Sequence, residues 1–180
     1  MKKTLKFFWF KYKYYFAKIK SIIKNNTEIM NNYYRQCGVK IGKNCLICTL
    51  FHLCRDNCLL EIKDDVIIST DVMFVLHDFS ASRVVKGISN MYGKITIGNN
   101  SFIGARSVIM YGVELGENTI VAAGSVVVKS FKEGNVLIGG NPAKVIGTWD
   151  NFRSKVELYG NNIVDVEELM EQHPELLIRK

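Results

Sequence analysis

The chain has only 2 prolines in 180 residues, and it lacks any uncharged apolar run near the roughly 20 residues that a membrane-spanning helix needs. A helical span is therefore excluded. With 48% hydrophobic and 23% charged residues, an intrinsically disordered chain is excluded as well. Acid is missing altogether from residues 1–24, which hold eight lysines. Beyond that arm basic and acidic side chains nearly balance, so the net charge of +7 belongs to the N-terminus. Lys11, Lys13 and Lys18 interrupt what would be an apolar leader, and no small-residue cleavage site follows, so a standard secretory signal is not expected. The cysteines number 5, an odd count. Reduced thiols in a cytoplasm are the expectation, not a disulfide framework.

Placed on a helix, residues 1–24 gather Leu5, Phe8, Trp9, Tyr12, Tyr15, Phe16, Ile19, Ile22 and Ile23 on one side, with Lys2, Lys6, Lys13, Lys20 and Lys24 opposite. Two readings stand open. Such a helix can lie at the inner face of a membrane, where lysines meet anionic lipid, or it can pack its stripe on the rest of the protein or a neighbouring subunit and leave the lysines solvated. A nucleic-acid partner is not expected, because the remaining chain is near neutral and carries no recognisable nucleic-acid module.

A period of six dominates the rest. Ile41, Ile47, Ile62, Ile68, Phe74, Ile97, Ile103, Ile109, Leu115, Val121 and Val127 fall in register, and ten of these eleven are Ile, Leu or Val. Small or modest residues follow four places later at Ser101, Ser107, Val113, Thr119 and Ser125, with Phe131 breaking that second rule. Six residues do not match a helical repeat, so each hexapeptide is a short strand plus a corner, and three of them close a triangular coil. Coils of this kind stack through parallel backbone hydrogen bonds, which makes the fold a parallel β-helix. Residues 97–132 supply two coils, 62–78 about one more, and 41–61 an irregular first coil. Asp78–Tyr92 breaks the period and leaves the column as a loop. Residues 1–40 and 148–180 are available to cover the open ends, and Asp165 can cap a short helix that stops before Pro174.

At Ile97–Lys129 (IGNNSFIGARSVIMYGVELGENTIVAAGSVVVK) and Gly140–Ile146 (GNPAKVI) the chain resembles the hexapeptide-repeat acyltransferases, and within them the O-acetyltransferases of polysaccharide gene clusters. The resemblance implies an all-β, left-handed parallel β-helix with a looped-out segment, an N-terminal amphipathic helix and a short C-terminal helix. It divides the chain into a basic helix (1–30), the acyltransferase domain (31–147, with loop 78–92) and a helical cap or tail (148–180). It also implies a homotrimer that uses acetyl-CoA as co-substrate, needs no metal and acetylates a carbohydrate.

Direct acyl transfer from a thioester to an alcohol calls for a base that takes the hydroxyl proton, and histidine suits it. Of the three histidines, His173 lies in the acidic tail and His52 in the irregular coil, while His77 ends a hexapeptide at the mouth of the loop. His77 is the candidate base, as the resemblance also implies. Asp78 either holds the imidazole tautomer or is simply a corner residue. The resemblance places Ala105 and Ala123 against the pantetheine arm, in a groove between subunits, and Lys129 and Lys144 at the nucleotide phosphates; Val128 stands where relatives often carry threonine. Gly139, Gly140 and Pro142 read as turn formers. Cys45, Cys48, Cys54 and Cys58 with His52 invite a zinc reading, but they match no paired CxxC spacing, and Cys45 falls on an inward position where a buried thiol is ordinary. The expectation is an acetyl-CoA-dependent O-acetyltransferase acting on a sugar hydroxyl. Its alternatives are an N-acetyltransferase of a nucleotide-linked amino sugar and a non-catalytic membrane-associated scaffold.

Overall fold

The computed structural model describes residues 2–50 and 55–178, with side chains from Tyr12 onward except that of Arg55. His52, Cys54 and the side chains of Leu5, Phe8 and Trp9 lie outside the described residues.

Three parallel sheets form the sides of a triangular column. The first joins β1 (Lys40–Ile41), β3 (Leu60–Ile62), β8 (Ile95–Ile97) and β11 (Glu114–Leu115). The second joins β2 (Leu46–Ile47), β4 (Ile67–Ile68), β9 (Phe102–Ile103), β12 (Thr119–Val121), β14 (Val136–Gly140) and, antiparallel at its end, β15 (Ala143–Thr148). The third joins β5 (Met73–Phe74), β10 (Val108–Ile109) and β13 (Val126–Val127). A separate pair, β6 (His77–Asp78) and β7 (Met91–Tyr92), forms the base of the expelled loop.

The hexapeptide aliphatics fill the column. Ile62, Ile68, Ile97, Ile103, Ile109, Leu115, Val121 and Val127 are fully buried, while Ile41, Ile47 and Phe74 pack against them partly covered. The second inward position carries hydroxyls that would be costly in an apolar core without partners. Each donates to a backbone carbonyl: Ser107 Oγ to Ala122 at 3.1 Å, Ser125 Oγ to Ala122 at 2.6 Å, and Thr119 Oγ1 to Gly116 at 2.8 Å. Where the first sheet turns into the second, Asn44, Asp65, Asn100, Asn118 and Asn135 all take positive φ of 53–58°, a region that Asn and Asp tolerate better than most side chains. Their side chains run as a ladder, Asn100 donating to Asn118 at 2.7 Å and Asn118 to Asn135 at 2.8 Å. Gly98 lies on the same edge because an added Cβ would sit 2.4 Å from the Gly116 backbone.

Helices cover the two ends, so all-β describes the column and not the whole chain. Helix α1 (Lys2–Ile23) leads into α2 (Glu28–Gln36), which lies within the residues 1–40 expected to cover this end and runs across the expected domain boundary at 30/31. The α2 helix forms there because it carries a buried face for the first coil. Tyr34 donates its hydroxyl to Thr49 O at 3.0 Å, Asn31 Nδ2 donates to Cys45 O at 2.8 Å, and Arg35 Nε donates to Ile41 O at 2.8 Å. At the other end the β14–β15 hairpin turns through a cis Asn141–Pro142 bond and continues into α4 (Trp149–Tyr159), whose first turn is capped by Thr148 Oγ1 accepting from Asn151 N. A four-residue helix, α3 (Ala81–Val84), lies in the loop. The last helix, α5 (Val166–Gln172), begins as expected at Asp165, whose Oδ1 accepts from Glu167 N at 2.9 Å.

The outward surfaces of the sheets differ. On the first sheet Glu61 pairs with both Lys63 and Lys94, and Glu114 with Lys132 at 3.0 Å. The hydrogen bonds from Lys63 and Lys94 hold the Glu61 carboxyl down to about 2 from its ordinary 4.5. A depressed carboxyl contributes stability that is complete above its ordinary value and is lost as pH falls through the folded one. Glu61→Gln is therefore expected to cost about 1 kcal/mol at pH 7, because the ammonium groups stay half in water. In urea titrations that difference should shrink steadily below pH 4.5; a gap that widened on acidification would contradict the pairing. The second sheet is apolar outside. Leu46, Ile67, Phe102, Ile120 and Leu137 stand in register across five strands, and the first three are each 40% exposed. On the third, Met73, Val108 and Val126 continue the apolar surface.

Candidate functional site

Two edges of the third sheet carry the residues singled out above. At the edge toward the first sheet, the chain leaves the column at Leu76 and re-enters at Gly93, whose N–H donates to Leu76 O at 3.2 Å. His77 is the first residue outside. Its backbone pairs with Tyr92, and the two rings lie 5.8 Å apart. The imidazole Nδ1 lies 2.6 Å from Asp56 Oδ2. Since the carboxylate accepts, Nδ1 carries a hydrogen, and in the neutral ring Nε2 keeps its lone pair. Asp56 is 17% accessible and His77 43%, so the carboxylate is sheltered while the imidazole is open to solvent. Asp56 belongs to a short 3-10 turn, Arg55–Leu59, inserted in the irregular first coil. The turn is anchored by Asn57, a buried residue whose Nδ2 donates to Cys37 O at 3.1 Å.

The carboxylate on the imidazole is thus Asp56 and not Asp78. Asp78 is turned elsewhere: Oδ1 accepts from Ser80 N at 2.8 Å and Oδ2 from the Tyr111 hydroxyl at 3.3 Å. Hydrogen bonds from Ser80 hold its carboxyl below the usual range, and desolvation followed by the Asp78 charge pushes the Tyr111 phenol up. Asp78 pins the start of the loop to the column. Lys129 lies on the same edge two coils further on, about 10 Å away at the spacing of stacked strands. It is exposed, and its Nζ sits 5.4 Å from the Phe131 ring centroid.

Ala105 and Ala123 lie at the opposite edge, where the second sheet turns into the third. They stand one above the other, Gly124 N donating to Ala105 O at 2.8 Å, with Thr70 below, its carbonyl accepting from Arg106 N at 3.0 Å. The hairpin covers the top of this column of small residues. Gly140 N donates to Ser125 Oγ at 3.2 Å, and an added Cβ on Gly139 would come 3.0 Å from Ala122 Cβ. Lys144 pairs across the hairpin with Gly139 and is exposed. One protomer therefore places His77 and Lys129 on one edge, and Ala105, Ala123 and Lys144 on the other. The strands between span roughly 15–20 Å at 3.3 Å per residue.

Cys45 is buried, its Sγ 3.0 Å from Lys63 O, and burial pushes its thiol up; Cys48 and Cys58 are exposed. Among the described residues no group of three or more His, Cys, Asp or Glu side chains is arranged to hold a metal ion.

Residues 94–129 match the family described as the hexapeptide repeat of succinyl-transferase. Protein CapG of Staphylococcus aureus is 37% identical over 127 residues, which cover 68% of this chain and 73% of CapG. The chain belongs to the hexapeptide-repeat acyltransferases. Other relatives of this acyltransferase match over less of their length. The galactoside O-acetyltransferase of Escherichia coli K12 is 36% identical over 92 residues, 51% of this chain and 45% of that enzyme. A solved galactoside acetyltransferase in complex with coenzyme A superposes with a TM-score of 0.56 at 23% identity, covering 87% of this chain and 89% of that one, a likeness of fold. Membership in the family implies left-handed winding of the column.

Sequence reasoning missed Asp56, Tyr92 and Tyr111. Tyr111 falls where the hexapeptide period places a corner residue, Tyr92 ends the segment that breaks the period, and nothing in the spacing ties Asp56 to a histidine 21 positions away.

Proposed function

We propose that this acyltransferase moves an acetyl group from acetyl-CoA to a hydroxyl of a carbohydrate, in a homotrimer whose neighbouring subunits share each site. The observation that carries the reading is the His77–Asp56 pair at 2.6 Å, set at the mouth of the only long loop among the described residues, which give Nε2 no hydrogen-bond partner. Histidine poised in this way takes the proton of an attacking hydroxyl. The acceptor oxygen bonds to the thioester carbonyl carbon, Nε2 receives the hydroxyl proton, the carbon–sulfur bond breaks, and the proton passes to the departing sulfur. The products are an acetyl ester and coenzyme A, and His77 ends as it began.

The donor fits the opposite edge. Ala105 and Ala123 keep the corner open to a narrow chain, Lys144 beside them offers a point charge suited to a phosphate, and Lys129 would offer another from the His77 edge of a neighbouring subunit. The separation of the two edges within one protomer supports a shared site, as do the apolar outer surfaces of the second and third sheets, since contiguous exposed apolar patches mark interaction surfaces. A sugar acceptor is supported by the relation to the galactoside O-acetyltransferase and by Tyr92 and Phe79, both 59% exposed, which offer flat faces beside the base.

The test is transfer from labelled acetyl-CoA to a panel of oligosaccharides, with the product treated with mild alkali. An ester releases its label, whereas an amide would keep it and assign the chain to amino-sugar N-acetylation. Asp56→Asn is expected to lower kcat about ten- to a hundredfold with little change in KM, because the ring loses its orienting acceptor. Asp78→Asn should stay within about threefold of wild type; the reverse order would return the orienting role to Asp78.

A further inference from the structure

Helix α1 carries two apolar faces, and the protein uses only one. Tyr14 and Ala17 pack against the core through α2, with the Tyr14 and Tyr33 rings 5.8 Å apart. Tyr12, Tyr15, Phe16, Ile19, Ile22 and Ile23 fall within an arc of about 120° on the side away from Tyr14, by the 100° step of a helix, and all six are more than half exposed, Ile22 and Ile23 at 71% and 78%. Within one chain the stripe does not pack on the protein's own core, and packing on a neighbouring subunit stands as the rival reading. A different face packs, and the stripe stays out.

What flanks the stripe identifies its occupant. Lys18 borders one side and Lys20 and Lys24 the other, all exposed, in an arm with no acidic residue before Glu28. A protein partner of ordinary composition would have to bury these ammonium groups or match them with acids. A bilayer meets both demands, since headgroup phosphates lie level with the lysines while the stripe enters the acyl boundary, with the tyrosines at the polar interface. No helix among the described residues is long and apolar enough to cross a membrane, so the helix lies along the surface.

We infer that α1 is a peripheral anchor that binds anionic phospholipid bilayers through the Tyr12–Ile23 stripe and its flanking lysines. The inference does not depend on the acceptor. Binding by the full chain is measured by sedimentation with vesicles of phosphatidylcholine containing one quarter phosphatidylglycerol, and with pure phosphatidylcholine. The anionic vesicles should retain the protein at least tenfold better, and the preference should weaken with salt. Ile19→Ser/Ile22→Ser, on exposed positions, should cut binding at least tenfold without changing the oligomer or the rate on a soluble acceptor, and Lys20→Glu/Lys24→Glu should do the same for anionic vesicles. Equal or absent binding to both vesicle types would overturn the anchor. So would an Ile19→Ser/Ile22→Ser protein that keeps its vesicle affinity, or one that loses subunit association instead, which would make the stripe a contact between copies of the chain.

Discussion

His77→Ala is expected to reduce acetyl transfer about 10²–10⁴-fold, the usual worth of a positioned general base, while leaving the proposed trimer and its affinity for coenzyme A unchanged. The ring lies outside the column and 43% of its side chain meets solvent, so its loss opens no cavity in the aliphatic core. The residual rate should report what proximity and backbone donors supply without a base. Steady-state rates with circular dichroism as a control on folding decide the matter. Full activity in the folded variant would remove His77 from the chemistry and leave the Asp56 contact as a structural tie between loop and first coil.

Phe102→Glu should have the second large effect. Phe102 stands at the middle of the outward apolar column of the second sheet, in register with Ile67 and Ile120. Closing a three-fold ring over it would bury one uncompensated carboxylate in each interface, and an unpaired buried charge costs several kcal/mol. Sedimentation velocity should show monomers, and calorimetry with coenzyme A should show affinity reduced by more than about tenfold, because a site shared between subunits is lost with the ring. The core should survive, since Phe102 faces outward and Ile103 inward. A monomeric variant that binds coenzyme A as tightly as wild type would place the donor pocket within one protomer.

Much of this organisation is legible in the sequence. Because every turn of the column presents the same inward slots, a six-residue period in Ile, Leu and Val is a direct record of it, and the series from Ile62 to Val127 is buried at every position except the partly covered Phe74. Asp165 also declares its cap in advance. The ends are harder to read. Helix α2 forms where Tyr33, Tyr34 and Asn31 meet the first coil, a tertiary contact with no periodic signature over nine residues. The β14–β15 hairpin arises because the solenoid edge is satisfied by the chain folding back through Asn141–Pro142.

The site is legible in part for a related reason. His77 is marked by its place, the last residue before the period fails. Its partner is not, because Asp56 comes from an irregular insertion in the preceding coil. Adjacency in the chain favours Asp78, yet consecutive residues on a strand point to opposite sides, and Asp78 is turned to Ser80 and Tyr111. The division of His77 from Ala105 and Ala123 between two edges of one sheet likewise appears only when the coils are stacked.

That division gives the account its sharpest test. His77→Ala removes the proposed base from one edge, and Ala123→Trp fills the proposed donor groove at the other, on a corner whose alanine is exposed. Each variant alone should be nearly inactive. When the two are unfolded together and reassembled at equal amounts, random assortment in a closed three-fold ring pairs an intact His77 with an intact Ala123 corner across about one quarter of the interfaces. Recovery of about that fraction of wild-type transfer is the predicted result. Trimers that mix, as followed by mass spectrometry, yet recover no activity would contradict the shared site.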